Sequence, residues 1–526
     1  MTFHKSISIY ASHDASIAIN PAPGIYRIFE FERLLKERYC KINDHPKFEE
    51  ACQFIFNEIK KEYHLNDFDI CYFGRINSGN SINEKNILTK VFGIKKFIDC
   101  GHHIAHAASA LYQSPFDESI IFSIDGGGWD ETNEVTMFNI YLANKKENTI
   151  TKIAQSHLDV GNAYSLISMP IKEIRNGNYL SYAGKIMGLA AYGKVRQEWV
   201  SAIRAFYLKQ QFLGIEFKQL TELGNNIGLD LSTYDTISGQ DSYDLAATSQ
   251  YIFEEIVLSI INPYINKYKL PVCLTGGCAL NVLFNDRLKK TISYPIFVPP
   301  NPNDCGISLG QLLFNEPPNC VVDVTYNGFD ILDKENLSQY VIDYNAQKVT
   351  INEIAKLLIN GKIIGVIRGK SECGPRALGN RSIICDPSFP DMKDILNHKV
   401  KFREWFRPFA PIVREEEVDK YFEFNGDAKF MSYSPKTKIE WLEKLKSIVH
   451  EDTTSRVQTV TQNQNKYIYD LITEVDKLKG IGIILNTSFN IKGKPILTTI
   501  EDALEVLNTT ELDYILVEDF LFKKQQ

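Results

Sequence analysis

Ser119-Ile120-Ile121-Phe122-Ser123-Ile124-Asp125-Gly126-Gly127-Gly128 is the stretch that sets the fold class. An apolar run closed by one Asp and three glycines reads as a buried strand, residues 119–124, ending in a tight polar corner. Glycines there let backbone N–H groups approach an anionic oxygen, and the carboxylate can hold a cation. A related pattern recurs at Leu274-Thr275-Gly276-Gly277-Cys278-Ala279-Leu280-Asn281, where a strand over 272–275 meets a Gly-Gly turn and a helix start. Helix N-termini after such turns bind anions and nucleotides. Further out, residues 6–10 and 15–20 predict two strands around the corner Ser12-His13-Asp14, and residues 104–112 and 251–268 predict helices. Strands turned by glycine and interleaved with helices make a mixed α/β chain.

The chain is 526 residues long, so two or more domains are expected. Residues 315–345 contain Pro317-Pro318 and lack periodicity; this predicts a junction near 340, with domains at 1–340 and 341–526. Beyond it the charge changes sign. Residues 361–407 hold ten Lys/Arg against five Asp/Glu, although the whole chain carries a net charge of -7. That overall charge disfavours a nucleic-acid partner, because phosphate binding wants an excess of Lys and Arg. The ten cysteines form no C-x-x-C pair, so zinc ribbons and dithiol redox sites are not indicated. The first sixteen residues lack the layout of a signal peptide, and no apolar run is long enough to span a bilayer. The expectation is a cytoplasmic protein without a membrane partner; no oligomeric state follows.

Gly101-His102-His103-Ile104-Ala105-His106-Ala107-Ala108-Ser109-Ala110 carries the sharpest chemical signal. On a helix, positions four apart lie about 40° from one another around the axis. His102 and His106 can therefore present two imidazoles to one ion; His103 and His106, three apart, could do the same. Paired histidines on a helix also serve packing, but Asp125 and Asp304 (in Asn303-Asp304-Cys305-Gly306) supply candidate carboxylates. Two His with two Asp suit Fe(II), Mn(II) or Zn(II). The small residues around the histidines let another helix approach closely.

The basic segment holds Glu372-Cys373-Gly374-Pro375-Arg376-Ala377-Leu378-Gly379-Asn380-Arg381-Ser382 and Lys401-Phe402-Arg403-Glu404-Trp405-Phe406-Arg407-Pro408. Arg456-Val457-Gln458 and Leu485-Asn486-Thr487-Ser488-Phe489-Asn490 follow. A single arginine is usually a surface ion pair. Four clusters of this character point to a shaped oxyanion pocket, since guanidinium binds phosphate bidentately and keeps its charge.

These stretches, with Ser12 to Ser16 and Gly184-Lys185-Ile186-Met187-Gly188-Leu189-Ala190, resemble the ATP-dependent O-carbamoyltransferases of the nodulation-factor, tobramycin, cephamycin and novobiocin group. The resemblance implies an actin/hexokinase-like (ASKHA) N-terminal domain and a YrdC-like α/β C-terminal domain. It further implies that carbamoyl phosphate and ATP become carbamoyl-adenylate in the second domain. The first, holding a divalent metal of the Fe(II) type, then transfers the carbamoyl group to an acceptor hydroxyl.

Carried over by motif, His102, His106, Asp125 and Asp304 are the metal ligands, and His103 is a supporting or phosphate-facing residue. His13 is the base for the acceptor hydroxyl, and Lys185 lies near the adenylate phosphate. Gly126, Gly127, Gly276, Gly277 and Asn281 bind the nucleotide. Arg376, Arg381, Arg403, Arg407, Arg456 and Ser488 line the carbamoyl-phosphate and Mg-ATP site, with Arg376 catalytic. The departures from the family pattern are Ser12, Glu30-Phe31-Glu32-Arg33, Ala183 and Ala191. They fall on the acceptor side, so a sugar or natural-product hydroxyl and a hydroxymethylated pyrimidine, as nucleotide or in DNA, both stay open. Rival readings are a hydrogenase-maturation carbamoyltransferase, a tRNA threonylcarbamoyl-type transferase and a non-catalytic nucleotide-binding scaffold.

Overall fold

β1 (Ser6–Tyr10), β2 (Ser16–Ala22) and β3 (Ile25–Glu30) form an antiparallel meander, and β4 (Ile70–Gly74) and β5 (Lys96–Cys100) extend it in parallel on the β1 side. The order β3-β2-β1-β4-β5 recurs in a second sheet. There β6 (Glu118–Trp129), β7 (Val135–Asn144) and β8 (Thr149–Ser156) are the meander. β9 (Val272–Thr275) and β10 (Ile296–Phe297) are its parallel extension, in the order β10-β9-β6-β7-β8. One five-stranded pattern used twice is the actin/hexokinase-like arrangement expected from the sequence. The structure is a computed structural model describing residues 5–525 except 44, 75–80, 131–133, 176 and 211–216.

One buried helix lies against each half. His102–Gln113 is buried at every position and packs on β6 and β9. A helix with no solvent face belongs in a core. Ile307–Asn315 packs on β1, β2 and β4, and the two helices pack against each other. Their crossing is close because of one residue. A Cβ on Gly310 would lie 1.9 Å from the Ala105 carbonyl oxygen, so no other side chain fits there.

Two expected elements differ in extent. The helix read over 251–268 begins earlier, spanning Gln240–Tyr268. The strand read as ending at Ile124 continues to Trp129, with its register against β7 shifting between Ile124 and Gly128. Asp125-Gly126-Gly127 is thus a bulge inside a long strand rather than a turn after a short one. A bulge re-aims side chains without ending the strand.

The chain divides into two compact units: Met1–Asn281 with Leu288–Gly328, and Val282–Arg287 with Phe329–Gln526. The change at Gly328/Phe329 precedes the junction read near 340, because Ile331, Leu337 and Tyr340 pack into the second core.

The second unit is α/β, as a YrdC-like domain requires. Its strands are β11 (Gln347–Lys348), β12 (Ile364–Ile367), β13 (Arg381–Cys385), β14 (Ala410–Arg414), β15 (Gln458–Val460), β16 (Ile483–Ser488), β17 (Tyr514–Val517) and β18 (Phe520–Lys523). They form one mixed sheet ordered β11-β18-β17-β12-β13-β16-β14-β15. Alternation along the strands feeds two cores. Ile364, Val366, Ile384 and Ile484 join the helices Ile351–Ile359 and Lys466–Lys479 on one side. Ile367, Ile383, Leu485 and the helix Ile500–Thr509 build the other.

Gly310→Val is expected to force the crossing apart and destabilise the chain by about 1–3 kcal/mol, the range for overpacking a filled core. Gly184→Ala is the control: nothing lies within 4 Å of its added Cβ. Thermal melting should show a lower midpoint for the first variant alone; equal midpoints would mean that Gly310 does not set the crossing.

Candidate functional site

The helix crossing, the β6 bulge and a turn of 3-10 helix at Asp304–Gly306 bring four ligands together. His102, His106, Asp125 and Asp304 are all buried, and one potential ligand atom from each lies within 4.8 Å of the others. His102 Nε2 is 2.8 Å from Asp125 Oδ2 and 3.7 Å from Asp304 Oδ1. Nε2 of His106 is 3.4 Å from the same two oxygens. His102 reaches this position only because residue 128 is glycine; a Cβ there would lie 2.1 Å from His102 Cγ. Asp125 is held from the other strand end by the Gly277 N–H, which donates to Oδ1 at 2.9 Å. Tyr10 donates its hydroxyl to Asp304 Oδ2 at 2.6 Å.

These residues fit a divalent cation. Both ring nitrogens of His106 are buried and make no hydrogen bond, although two carboxylate oxygens face Nε2. A buried imidazole so placed is satisfied by an ion shared with those carboxylates. The electrostatics agree. Burial alone would lower the His106 pKa, yet Asp125 and Asp304 outweigh it and hold it at about 9. Burial pushes Asp125 up, and His102 and His106 overcome it to keep the carboxyl well below its usual range.

The other histidines part company. His103 Nδ1 lies 2.8 Å from Ser123 Oγ and Nε2 lies 2.7 Å from the Thr136 carbonyl. Its ring is therefore turned into the β6–β7 sheet, the supporting one of the two roles expected for it. Burial and the neighbouring His102 lower its pKa to about 3. His13, one-third exposed, stands beside the cluster with Nε2 3.4 Å from Asp304 Oδ2. Its Nδ1 is 3.0 Å from Asp14 Oδ2. Burial opposes protonation, but Asp304, Asp14 and Asp125 raise its pKa to about 9.

Among the expected nucleotide residues, Gly126 accepts a hydrogen bond from Asn162 Nδ2 at 2.9 Å, and the Gly276 N–H donates to Pro302 O at 2.8 Å. Gly127 lies within the bulge. Asn281 exchanges two 3.0 Å hydrogen bonds with the Gln250 amide. Lys185 is buried and donates to the Ile174 carbonyl at 3.0 Å.

In the second unit, four of the six expected anion-site residues converge. Burial lowers the Arg456 pKa well below the guanidinium value, and the charges of Arg376, Arg403 and Arg407 lower it further. Arg456 Nε is buried without a hydrogen-bond partner. Arg403 is braced by Asn397 Oδ1 at 2.8 Å and stacks 4.5 Å from the Phe409 ring centroid. Arg407 lies 3.4 Å from Glu404.

The other two expected residues behave differently. Arg381 is fully buried and donates to the carbonyls of Arg368 (2.8 Å), Gly369 (2.9 Å) and Asn380 (3.1 Å). It braces the backbone at the base of the loop. Ser488 Oγ donates to Asn490 Oδ1 at 2.8 Å and receives Lys401 Nζ at 3.2 Å.

Comparison with known proteins matches residues 30–313 to the carbamoyltransferase N-terminus and residues 355–524 to the carbamoyltransferase C-terminus. The chain belongs to the carbamoyltransferase family. Nodulation protein NolO of Bradyrhizobium diazoefficiens is 31% identical over 446 residues, covering 81% of this chain and 79% of that protein. Nodulation protein U of Sinorhizobium fredii is 28% identical over 455 residues, covering 80% and 77%. An uncharacterized protein of Methanocaldococcus jannaschii is 29% identical over 537 residues, covering 98% and 99%. The protein is thus an enzyme, a carbamoyltransferase. No helix among its described residues is long and apolar enough to cross a membrane.

The carbamoyltransferase uses residues that sequence spacing does not single out. Asp159 caps the helix Val160–Leu166 and, with Asn162, braces the β6 bulge. Burial raises its carboxyl pKa to about 6. Lys401 is buried against Ser488 and Asn490, and a lysine within a basic run gives no sign of such burial.

His106→Ala should lower bound divalent metal from near stoichiometric to about one-tenth or less, since one of four ligands is lost. His13→Ala, outside the four-ligand set, should retain it. Elemental analysis after dialysis checks both. Equal metal content in the two variants would dissolve the proposed coordination set.

Proposed function

We propose that this carbamoyltransferase activates carbamoyl phosphate with ATP as carbamoyl-adenylate in its second unit and transfers the carbamoyl group to an acceptor hydroxyl in its first. The observation that carries this reading is the gathering of Arg376, Arg403 and Arg407 around Arg456, whose buried Nε makes no hydrogen bond. Like charges gathered against burial are stable only with polyanions among them, and phosphates match guanidinium geometry.

In balance, water cleaves carbamoyl phosphate to carbamate and inorganic phosphate. A carbamate oxygen attacks the ATP α-phosphorus, forming the acyl-phosphate bond while the bond to pyrophosphate breaks. The arginines hold the developing negative charge on the pyrophosphate. In the first unit, the acceptor oxygen attacks the carbamoyl carbon and the bond to AMP breaks. His13 takes the hydroxyl proton at Nε2, the atom beside Asp304 and reachable from solvent.

His102, His106, Asp125 and Asp304 would hold an Fe(II), Mn(II) or Zn(II) ion, which would supply Lewis-acid stabilisation of phosphate oxygens. Asp304, Asp14 and Asp125 together keep His13 protonated to about pH 9. An ion held in the site would neutralise Asp304 and Asp125 and so favour the neutral, basic form of the imidazole. The acceptor is a polar alcohol: the His13 corner is flanked by Asp14 and partly open.

Incubation with carbamoyl phosphate, Mg-ATP and candidate alcohols should yield AMP, pyrophosphate and an alcohol heavier by one carbamoyl group. Formation of ADP instead would sink the adenylate route. Arg376→Ala should reduce carbamoyl-phosphate-dependent pyrophosphate release by roughly 100-fold, the scale of losing one partner of a buried charge contact.

A further inference from the structure

Glu372 and Arg381 grip one loop from opposite sides. Glu372 is fully buried, and its Oε1 accepts three backbone N–H groups: Leu378 at 2.7 Å, Asn380 at 2.7 Å and Arg381 at 3.2 Å. Arg381 does the complementary work on carbonyls, taking those of Arg368, Gly369 and Asn380. Two more loop carbonyls have side-chain partners. Asn486 Nδ2 donates to Ala377 O at 2.9 Å, and Gln458 Nε2 donates to Leu378 O at 3.0 Å. Asn486 and Gln458 are joined to each other at 2.8 Å. All four bracing side chains are fully buried. Between these anchors the chain turns through left-handed Gly374, and Pro375 and Arg376 reach the surface.

All four bracing side chains come from the strings that first suggested an oxyanion pocket: Glu372, Arg381, Gln458 and Asn486. All four are instead turned to backbone groups of this region. A flexible loop carrying Arg376 would have to lose conformational freedom whenever an anion bound. A loop pinned at Ala377, Leu378 and Asn380 by buried side chains has lost much of that freedom on folding. The carboxylate also suits the task, because one anionic oxygen can collect several N–H donors of a curved loop.

We propose that Glu372 and Arg381 are positioning residues that preform loop 373–380 and hold the Arg376 guanidinium ready for the phosphate of carbamoyl phosphate. This rests on the reading of the arginine cluster as the donor site. Neither residue touches substrate; both act through Arg376.

The test is a double-mutant cycle on the full chain, reading the KM for carbamoyl phosphate in pyrophosphate release. Glu372→Asp pulls the carboxylate back from the loop and should raise that KM about tenfold, while kcat changes by less than about threefold. Glu372→Gln keeps an accepting oxygen and should stay within about threefold of wild type. In an Arg376→Lys background, Glu372→Asp should add less than about twofold, because the group it positions is already altered. An equal tenfold effect in both backgrounds, or an unchanged KM, overturns the positioning role. Should Glu372→Asp fail to fold, Arg381→Lys takes its place with the same expectations. Arg376→Lys alone must raise the KM; if it does not, the donor-site reading itself is wrong, an outcome distinct from failure of the loop.

Discussion

The contact of Gly310 with the Ala105 carbonyl governs the first unit. Asp304 stands at the start of the segment that carries Gly310, and His102 and His106 stand on the helix that carries Ala105. The separation of the two helices therefore sets the separation of the ligands. A single methyl group at position 310 has no room, so the histidine and aspartate side chains meet at distances an ion can bridge. Gly128 acts in the same way one layer up, admitting the His102 ring over the bulged strand. In both places the backbone comes close because a side chain is missing.

That closeness creates an electrostatic problem. Two carboxylates and two imidazoles are buried together, with His106 making no hydrogen bond. Protonating His106 relieves part of the strain, which is why its pKa stands at about 9. A divalent cation relieves more, because it pairs with both carboxylates and takes the imidazole lone pairs at once. The second unit poses the opposite problem: guanidinium groups repel one another around Arg456. Each unit thus carries a buried imbalance of charge, and the signs differ. A cation would answer the first, and the proposed phosphate donor would answer the second.

Sequence spacing conveys much of this, but unevenly. The i, i+4 histidines and the apolar runs beside Asp125 and Asp304 follow from helical and strand periods, and the structure brings those four side chains together. β1 and β9 were legible for the same reason, being short, apolar and bounded by polar or glycine corners. The DGGG segment misleads because glycines mark a bulge as readily as a turn; only pairing with β7 distinguishes them. His103 misleads because it shares the helix with His106 but faces Ser123 and Thr136. Arg381 and Lys185 are the instructive pair. Both are cations in suggestive motifs, and both donate to backbone carbonyls, partners that leave no trace in side-chain spacing.

The two kinds of arginine in the second unit explain why one motif can contain both. Arg376 stands at the tip of its loop and Arg381 opens β13, five positions later, where it is fully buried. Strand pairing at Ile367↔Arg381 and Ser382↔Ser488 fixes the base of the loop inside the sheet. A rigid base is needed because a guanidinium recognises phosphate through a planar fork, and a fork displaced or tilted loses one of its two bonds. Preorganisation of this sort raises affinity by reducing what must be ordered on binding, not by adding contacts. The chemistry in such a site then depends on residues that never meet the substrate as much as on those that do.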